Sequence, residues 1–151
     1  MKLQVSSRLA IFAVLELIRQ PDRQLSVAEI GLKYGVSNHH LAKVMHTLGR
    51  AGLVRSVRGV GGGYQFCGNA HRTTLLDVIE LFENLGPGSE EDGGPGRGTG
   101  EGRALFGVLR EIDDSARATF GSITIATMHK LVERHQTGRR HSAAGAAAQE
   151  H

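Results

Sequence analysis

Three features of this chain predict a mostly α-helical fold carrying one small β-hairpin. Residues 26–50, SVAEIGLKYGVSNHHLAKVMHTLGR, hold two short amphipathic helical patterns joined at Gly35, the layout of a helix-turn-helix. Residues 51–64, AGLVRSVRGVGGGY, add an apolar strand start, two arginines, a glycine run and an aromatic, which read as a basic hairpin. From Arg103 onward, Leu105, Leu109, Ile112, Ala116 and Phe120 recur at 3–4 spacing, the stripe of a long amphipathic helix. The three together outline a winged helix-turn-helix followed by a long dimerisation helix.

Each element has its own signal. Residues 5–20 read as a helix whose apolar residues Leu9, Ile11, Phe12, Val14, Leu15 and Ile18 spread over a wide stripe, suiting a helix packed on two sides. Pro21-Asp22 ends it. Ser26 opens the second helix and Glu29 stands three residues on, a capping box, with Val27, Ile30 and Leu32 as apolar contributions. Gly35 supplies the positive φ of the turn. Ser37 caps a third helix in which Leu41, Val44, Met45 and Leu48 face inward. Ala28, Gly35, Val36 and Leu41 fall where packing of the two helices needs them. Residues 53–57 alternate as a half-buried strand, residues 59–63 turn, and residues 64–67 return. Cys67 on that return strand is expected to be half-buried packing. Thr73 or Thr74 caps a further helix containing Leu75, Leu76, Val78, Ile79, Leu81 and Phe82, with Asp77 near its positive end.

Four segments follow. Residues 1–83 form the winged helix-turn-helix, 84–102 a flexible glycine-rich loop, 103–137 the dimerisation helices and 138–151 a disordered tail. The loop reading rests on residues 86–102, eight of which are glycine, and which hold no apolar side chain beyond proline. Gly121-Ser122 is expected to bend the long helix.

Composition narrows the function. The chain has no Trp and one Cys, so it supports neither broad base stacking nor an all-cysteine metal site or disulfide framework built by one chain. No apolar run reaches membrane-spanning length and no signal-peptide layout opens the chain, so a cytoplasmic location is expected. Residues 1–72 carry ten Lys/Arg against three Asp/Glu, whereas residues 73–151 carry eight against twelve. A basic first half beside an acidic second half suits a nucleic-acid-binding half and a pairing or sensing half. No nucleophile, base and acid set is visible, and the carboxylates Glu90, Glu91 and Asp92 sit in the glycine-rich segment, so no enzymatic activity is expected.

Duplex DNA is the expected partner. Ser37, Asn38, His39, His40 and Lys43 lie at the end of the third helix that enters a major groove, where Asn pairs with adenine and Ser and His reach bases or phosphates. Arg50 and Arg55 supply phosphate contacts, Arg58 at the hairpin tip suits a minor groove, and Gly61, Gly62, Gly63 and Tyr64 complete the wing. Among the histidines, His39 and His46 share one helix face. Surface histidines facing DNA are the favoured reading, and a His-ligated metal or haem is the alternative.

The segments LAKVMHTLGRAGLVRSVRGVGGGYQF (41–66), TLLDVIELFE (74–83) and SITIATMHKLV (122–132) resemble the Rrf2 family of bacterial winged-helix regulators. That family includes iron–sulphur-assembly and nitric-oxide-sensitive regulators, and NHHLAKVMHTLGRAGLV is most similar to the nitric-oxide-sensitive branch. The resemblance implies a homodimeric transcriptional repressor that binds a pseudo-palindromic operator. It implies that the long helix crosses its partner's copy through Leu105, Leu109, Ile112, Ala116 and Phe120, and that Arg58 is the wing arginine. Many members hold an iron–sulphur cluster on three cysteines in the loop before the dimer helix. Residues 86–102 contain none, so no cluster or other cofactor is expected. A winged-helix module that binds protein rather than DNA is the remaining alternative.

Overall fold

The computed structural model describes residues 1–86, 88 and 94–147, with side chains through Arg140. Its centre is α1 (Val5–Arg19), where Leu9, Ala10, Ile11, Ala13, Val14, Leu15 and Leu17 are all buried. The helix is covered on more sides than the two its stripe predicts, because α3, α4, α6 and the hairpin all pack on it. Its N-terminus has no local side-chain cap. Instead Glu83, distant in sequence, accepts from the Gln4 backbone N–H at 2.8 Å and from the Ser7 hydroxyl. A carboxylate there satisfies an orphan donor and complements the positive end of the helix dipole.

Helix α2 (Val27–Tyr34) begins on the expected capping box: Ser26 Oγ accepts from Glu29 N at 3.1 Å and Glu29 Oε2 from Ser26 N at 2.8 Å. It ends at Gly35 in the left-handed region. Helix α3 (Asn38–Arg50) is capped by Ser37, whose Oγ accepts from His40 N. Leu41, Val44, Met45 and Leu48 are buried as their spacing predicts. Two expectations for α2 are corrected. Ala28 is exposed and Leu32 is 87% exposed, so neither joins the core. The small residue on which the two helices close is Gly31: a Cβ there would sit 2.9 Å from the Val36 carbonyl oxygen.

The hairpin pairs β1 (Val54–Val57) with β2 (Gly63–Phe66), antiparallel, with Arg55 opposite Gln65 and Val57 opposite Gly63. Leu25 joins its edge through a bridge to Tyr64, with bonds of 2.8 and 3.1 Å. Cys67 falls just beyond β2 and is exposed rather than half-buried, its thiol donating to the Gly52 carbonyl at 3.3 Å.

Helix α4 (Leu75–Ile79) is short, and Thr74 rather than Thr73 forms its capping box, with Asp77. Leu81 and Phe82 lie in the turn that follows. Helix α5 (Gly100–Ser122) is capped by Thr99 and starts three residues before the expected Arg103. It is not bent at Gly121-Ser122 but ends there. Ile123 and Thr124 are extended and fastened to the α4 entry: Leu75 N donates to Ile123 O and Ile125 N to Thr73 O, both at 2.9 Å. Ile125, fully buried, opens α6 (Ile125–Ala147).

The tail expectation is corrected too. α6 runs through Ala147, so residues 138–147 are helical, which the high helix propensity of an alanine-rich run favours. Residues 148–151 lie outside the described part, as do residue 87 and residues 89–93, which include Glu90, Glu91 and Asp92.

Candidate nucleic-acid interface

Helix α3 divides cleanly. With Leu41, Val44, Met45 and Leu48 turned inward, His39, Lys43, His46 and Arg50 recur at 4, 3 and 4 residues along the opposite, exposed stripe. Asn38 is exposed at the N-terminal end, where a helix entering a groove makes its base contacts. Lys43, Arg50 and Arg58 are exposed and make no ion pair among the described residues. They are cations held out to solvent, as phosphate contacts require.

The other expected residues differ in availability. Ser37 spends one lone pair of its hydroxyl on the cap, leaving its proton to donate. His40 is half-buried, and its Nε2 lies 3.2 Å from Ser6 Oγ, so α1 fixes this ring. Arg55 is exposed but bridged across the strands to Gln65 Oε1 at 2.9 Å. Tyr64 is half-buried against the core. Gly63 passes so close to Leu25 that a Cβ there would meet its carbonyl at 2.6 Å. Gly63 and Tyr64 therefore anchor the wing to the body, while Arg58, Gly61 and Gly62 form its outer turn.

Sequence reasoning missed the network that orients α2. Glu16 on α1 is buried to 7% exposure; it accepts from Tyr34 OH at 2.7 Å, Arg19 Nη2 at 2.8 Å and Lys33 Nζ. Burial, the largest single influence, pushes its carboxyl up, but the hydrogen bonds from Lys33 and Tyr34 and the charges of Lys33 and Arg19 outweigh it and hold it below the usual carboxylate range. Burial and the bond to Glu16 push the Tyr34 phenol well above its ordinary value, so it stays a donor. The Tyr34 ring stacks on Phe12 with centroids 5.0 Å apart. A glutamate inside an apolar stripe was the available signal, since such a residue needs partners.

Helix α5 has no buried residue. Leu105, Leu109 and Ile112 are 60, 50 and 56% exposed, and Val108, absent from the expected stripe, is 58% exposed. Ala116 is half-buried, and Phe120 packs against the chain's own core. Leu105, Val108, Leu109 and Ile112 thus form an apolar row that no other described residue buries. Arg117 pairs with Glu80 and ties its far end to α4.

A helix-turn-helix with an exposed polar reading stripe, backed by a cationic hairpin, defines a winged-helix DNA-binding regulator. The model of the family described as Rrf2, iron-dependent transcriptional regulator, matches residues 3–131. The chain belongs to that family. It is 47% identical over 156 residues to the HTH-type transcriptional regulator BadM of Rhodopseudomonas palustris, spanning 97% of this chain and 99% of that one. An HTH-type transcriptional regulator of Synechocystis is 31% identical over 131 residues, spanning 85% and 88%. Among solved structures, IscR of T. potens aligns with a TM-score of 0.72 at 25% identity, covering 90% of this chain and 91% of that one. CymR of B. subtilis, described as its global cysteine regulator, also aligns at 0.72 and 25%, covering 87% and 98%. The protein is a transcriptional regulator and not an enzyme. No helix among the described residues is long and apolar enough to cross a membrane.

Proposed function

We propose that the protein is a cytoplasmic homodimeric repressor that reads a pseudo-palindromic operator and works without a cysteine-ligated cluster. The observation that carries it is α5, a helix of 23 residues with nothing buried and a row of exposed Leu105, Val108, Leu109 and Ile112. Exposed apolar residues spaced along about two turns need a partner surface, and a second copy of the same helix offers a matching one. Pairing α5 with its copy places two reading helices on one face, the arrangement that dyad-related half-sites require.

Within each half, α3 enters a major groove with Asn38, His39 and Lys43, Arg50 and Arg55 neutralise phosphates, and Arg58 enters the adjacent minor groove. The winged helix-turn-helix (1–83), the glycine-rich segment and the helices from α5 onward then serve as reader, connector and pairing unit.

The residues present do not fit an iron–sulphur centre. Such clusters are held by several thiolates, and the chain has one cysteine, Cys67, placed beside the wing. Regulation therefore proceeds by a route other than a cysteine-held cluster, although residues 38–54 are most like the nitric-oxide-sensitive branch. Selection of bound sequences from random duplex DNA, with iron measured in the same preparation, tests the reading. A dyad-symmetric motif bound equally well before and after chelation is expected. Selection that yields no motif removes the operator-binding proposal, and loss of binding with loss of iron removes the cluster-free one.

A further inference from the structure

The wing tip carries a side chain that the reading above does not use. Val60 is fully exposed, and it stands between Gly59 at φ 111° and Gly61 at φ 73°. A lone exposed valine elsewhere on a surface carries no message. Here the setting is different. The two flanking positions have the left-handed backbone that glycine alone adopts without strain, so the chain reverses sharply on both sides of Val60 and leaves its isopropyl group projecting with no side chain beside it. Arg58, two residues earlier, is exposed with it. Behind the tip the hairpin is pinned by its own register and by the Leu25–Tyr64 bridge, so the tip is presented on an anchored lever.

Resting on the reading of the wing as a minor-groove element, we propose that Val60 is a specificity residue of operator recognition that selects A·T-rich steps at the operator flanks by shape. The minor groove is about 6 Å wide and lined by the apolar C–H faces of deoxyribose. A single isopropyl group without bulky neighbours fits it when it is narrow, as in A-tracts, and touches both walls. At a G·C step the guanine 2-amino group stands on the floor and the groove is wider, so the same methyl groups meet an obstacle below and a gap at the sides. Arg58 supplies attraction to the negative potential of the groove. Val60 supplies the discrimination, and it needs no hydrogen bond to a base to do so.

The test uses the full chain and an operator obtained by random selection. Adenines in the base pairs whose minor-groove protection is lost in Arg58→Ala are replaced by 2,6-diaminopurine, which adds the 2-amino group and leaves the major-groove edge unchanged. Wild type is expected to lose about tenfold in affinity. Val60→Ala is expected to lose only about threefold, the portion belonging to Arg58, and Val60→Thr, which keeps the shape, to behave as wild type. Replacing guanine with inosine in a G·C-flanked operator is expected to restore wild-type binding. If Val60→Ala suffers the same loss as wild type, the assignment of Val60 is overturned while the wing reading stands. If Arg58→Ala binds and protects like wild type, the wing reading itself fails and Val60 falls with it.

Discussion

Glu16 shows how much a single side chain contributes to the geometry of the reading head. Its carboxylate gathers Tyr34, Lys33 and Arg19, so the angle between α1 and α2 depends on its charge. Because its pKa in the fold lies below the ordinary 4.5, its stabilising contribution is complete above that value and is lost as pH falls through the folded-state pKa. Thermal stability of the wild type should therefore fall more steeply in acid than that of Glu16→Gln. At neutral pH the same substitution should cost about 1–2 kcal/mol, reduced by the solvent exposure of Lys33. Melting curves of both proteins across the acid range check this. At the Gly31 contact, Gly31→Ala brings a methyl group against the Val36 carbonyl and should cost about 1–3 kcal/mol, read by urea denaturation. On the wing, Arg58→Ala should weaken operator binding by about 1–3 kcal/mol in a gel-shift titration with the melting temperature unchanged, since the side chain is exposed. These residues were legible to different degrees. Arg58 announces itself by charge beside a glycine run. Gly31 does not, because a glycine within a helix pattern reveals its reason only when the second helix is laid against it.

The helices and strands were largely written in local chemistry. Capping boxes at Ser26 and Thr74 and the inward series of α3 are short-range signals, and they place three helix starts. One misplaced boundary lies where a long-range contact intervenes. The α5–α6 pattern runs on through Ile123 and Ile125, yet the chain is held extended at Ile123 and Thr124 by bonds to residues 73–75. In the same way α1 takes its N-terminal cap from Glu83, at the far end of the α4 turn. Helix α5 is the element whose behaviour most needs measurement. Leu109→Glu puts a charge into the middle of its exposed row and should raise the dimer dissociation constant by at least about a hundredfold. Light scattering should then give a monomer with unchanged helical content. A dimer that persists at low micromolar concentration would falsify pairing through this face.

At the scale of the molecule, charge and connectivity act together. A first half with ten cations against three anions carries the helix-turn-helix and the hairpin, and the second half, with the opposite balance, carries α5 and α6. A dimer that neutralises about eight phosphates should lose roughly ten-thousandfold in affinity between about 50 and 200 mM salt, as counterion release requires. The salt slope should flatten by about two for each of Lys43, Arg50 and Arg55 replaced by alanine, since both protomers carry the substitution. The Thr74–Thr124 bridge and the Arg117–Glu80 pair join α5 and α6 to α4, which packs on α1 as α3 does.

From its residues alone this chain declares a helix-turn-helix, a cationic glycine hairpin, a long one-sided helix and a single cysteine, because periodicity, caps, charge and composition are read along the backbone. Packing in three dimensions decided which of those groups are available to DNA. It turned His40 towards Ser6, bound Tyr64 and Gly63 to Leu25, drew Glu16 into a buried junction and left Val60 standing free. Availability depends on what lies across the gap, and residues distant in the chain meet there only after the helices close on α1.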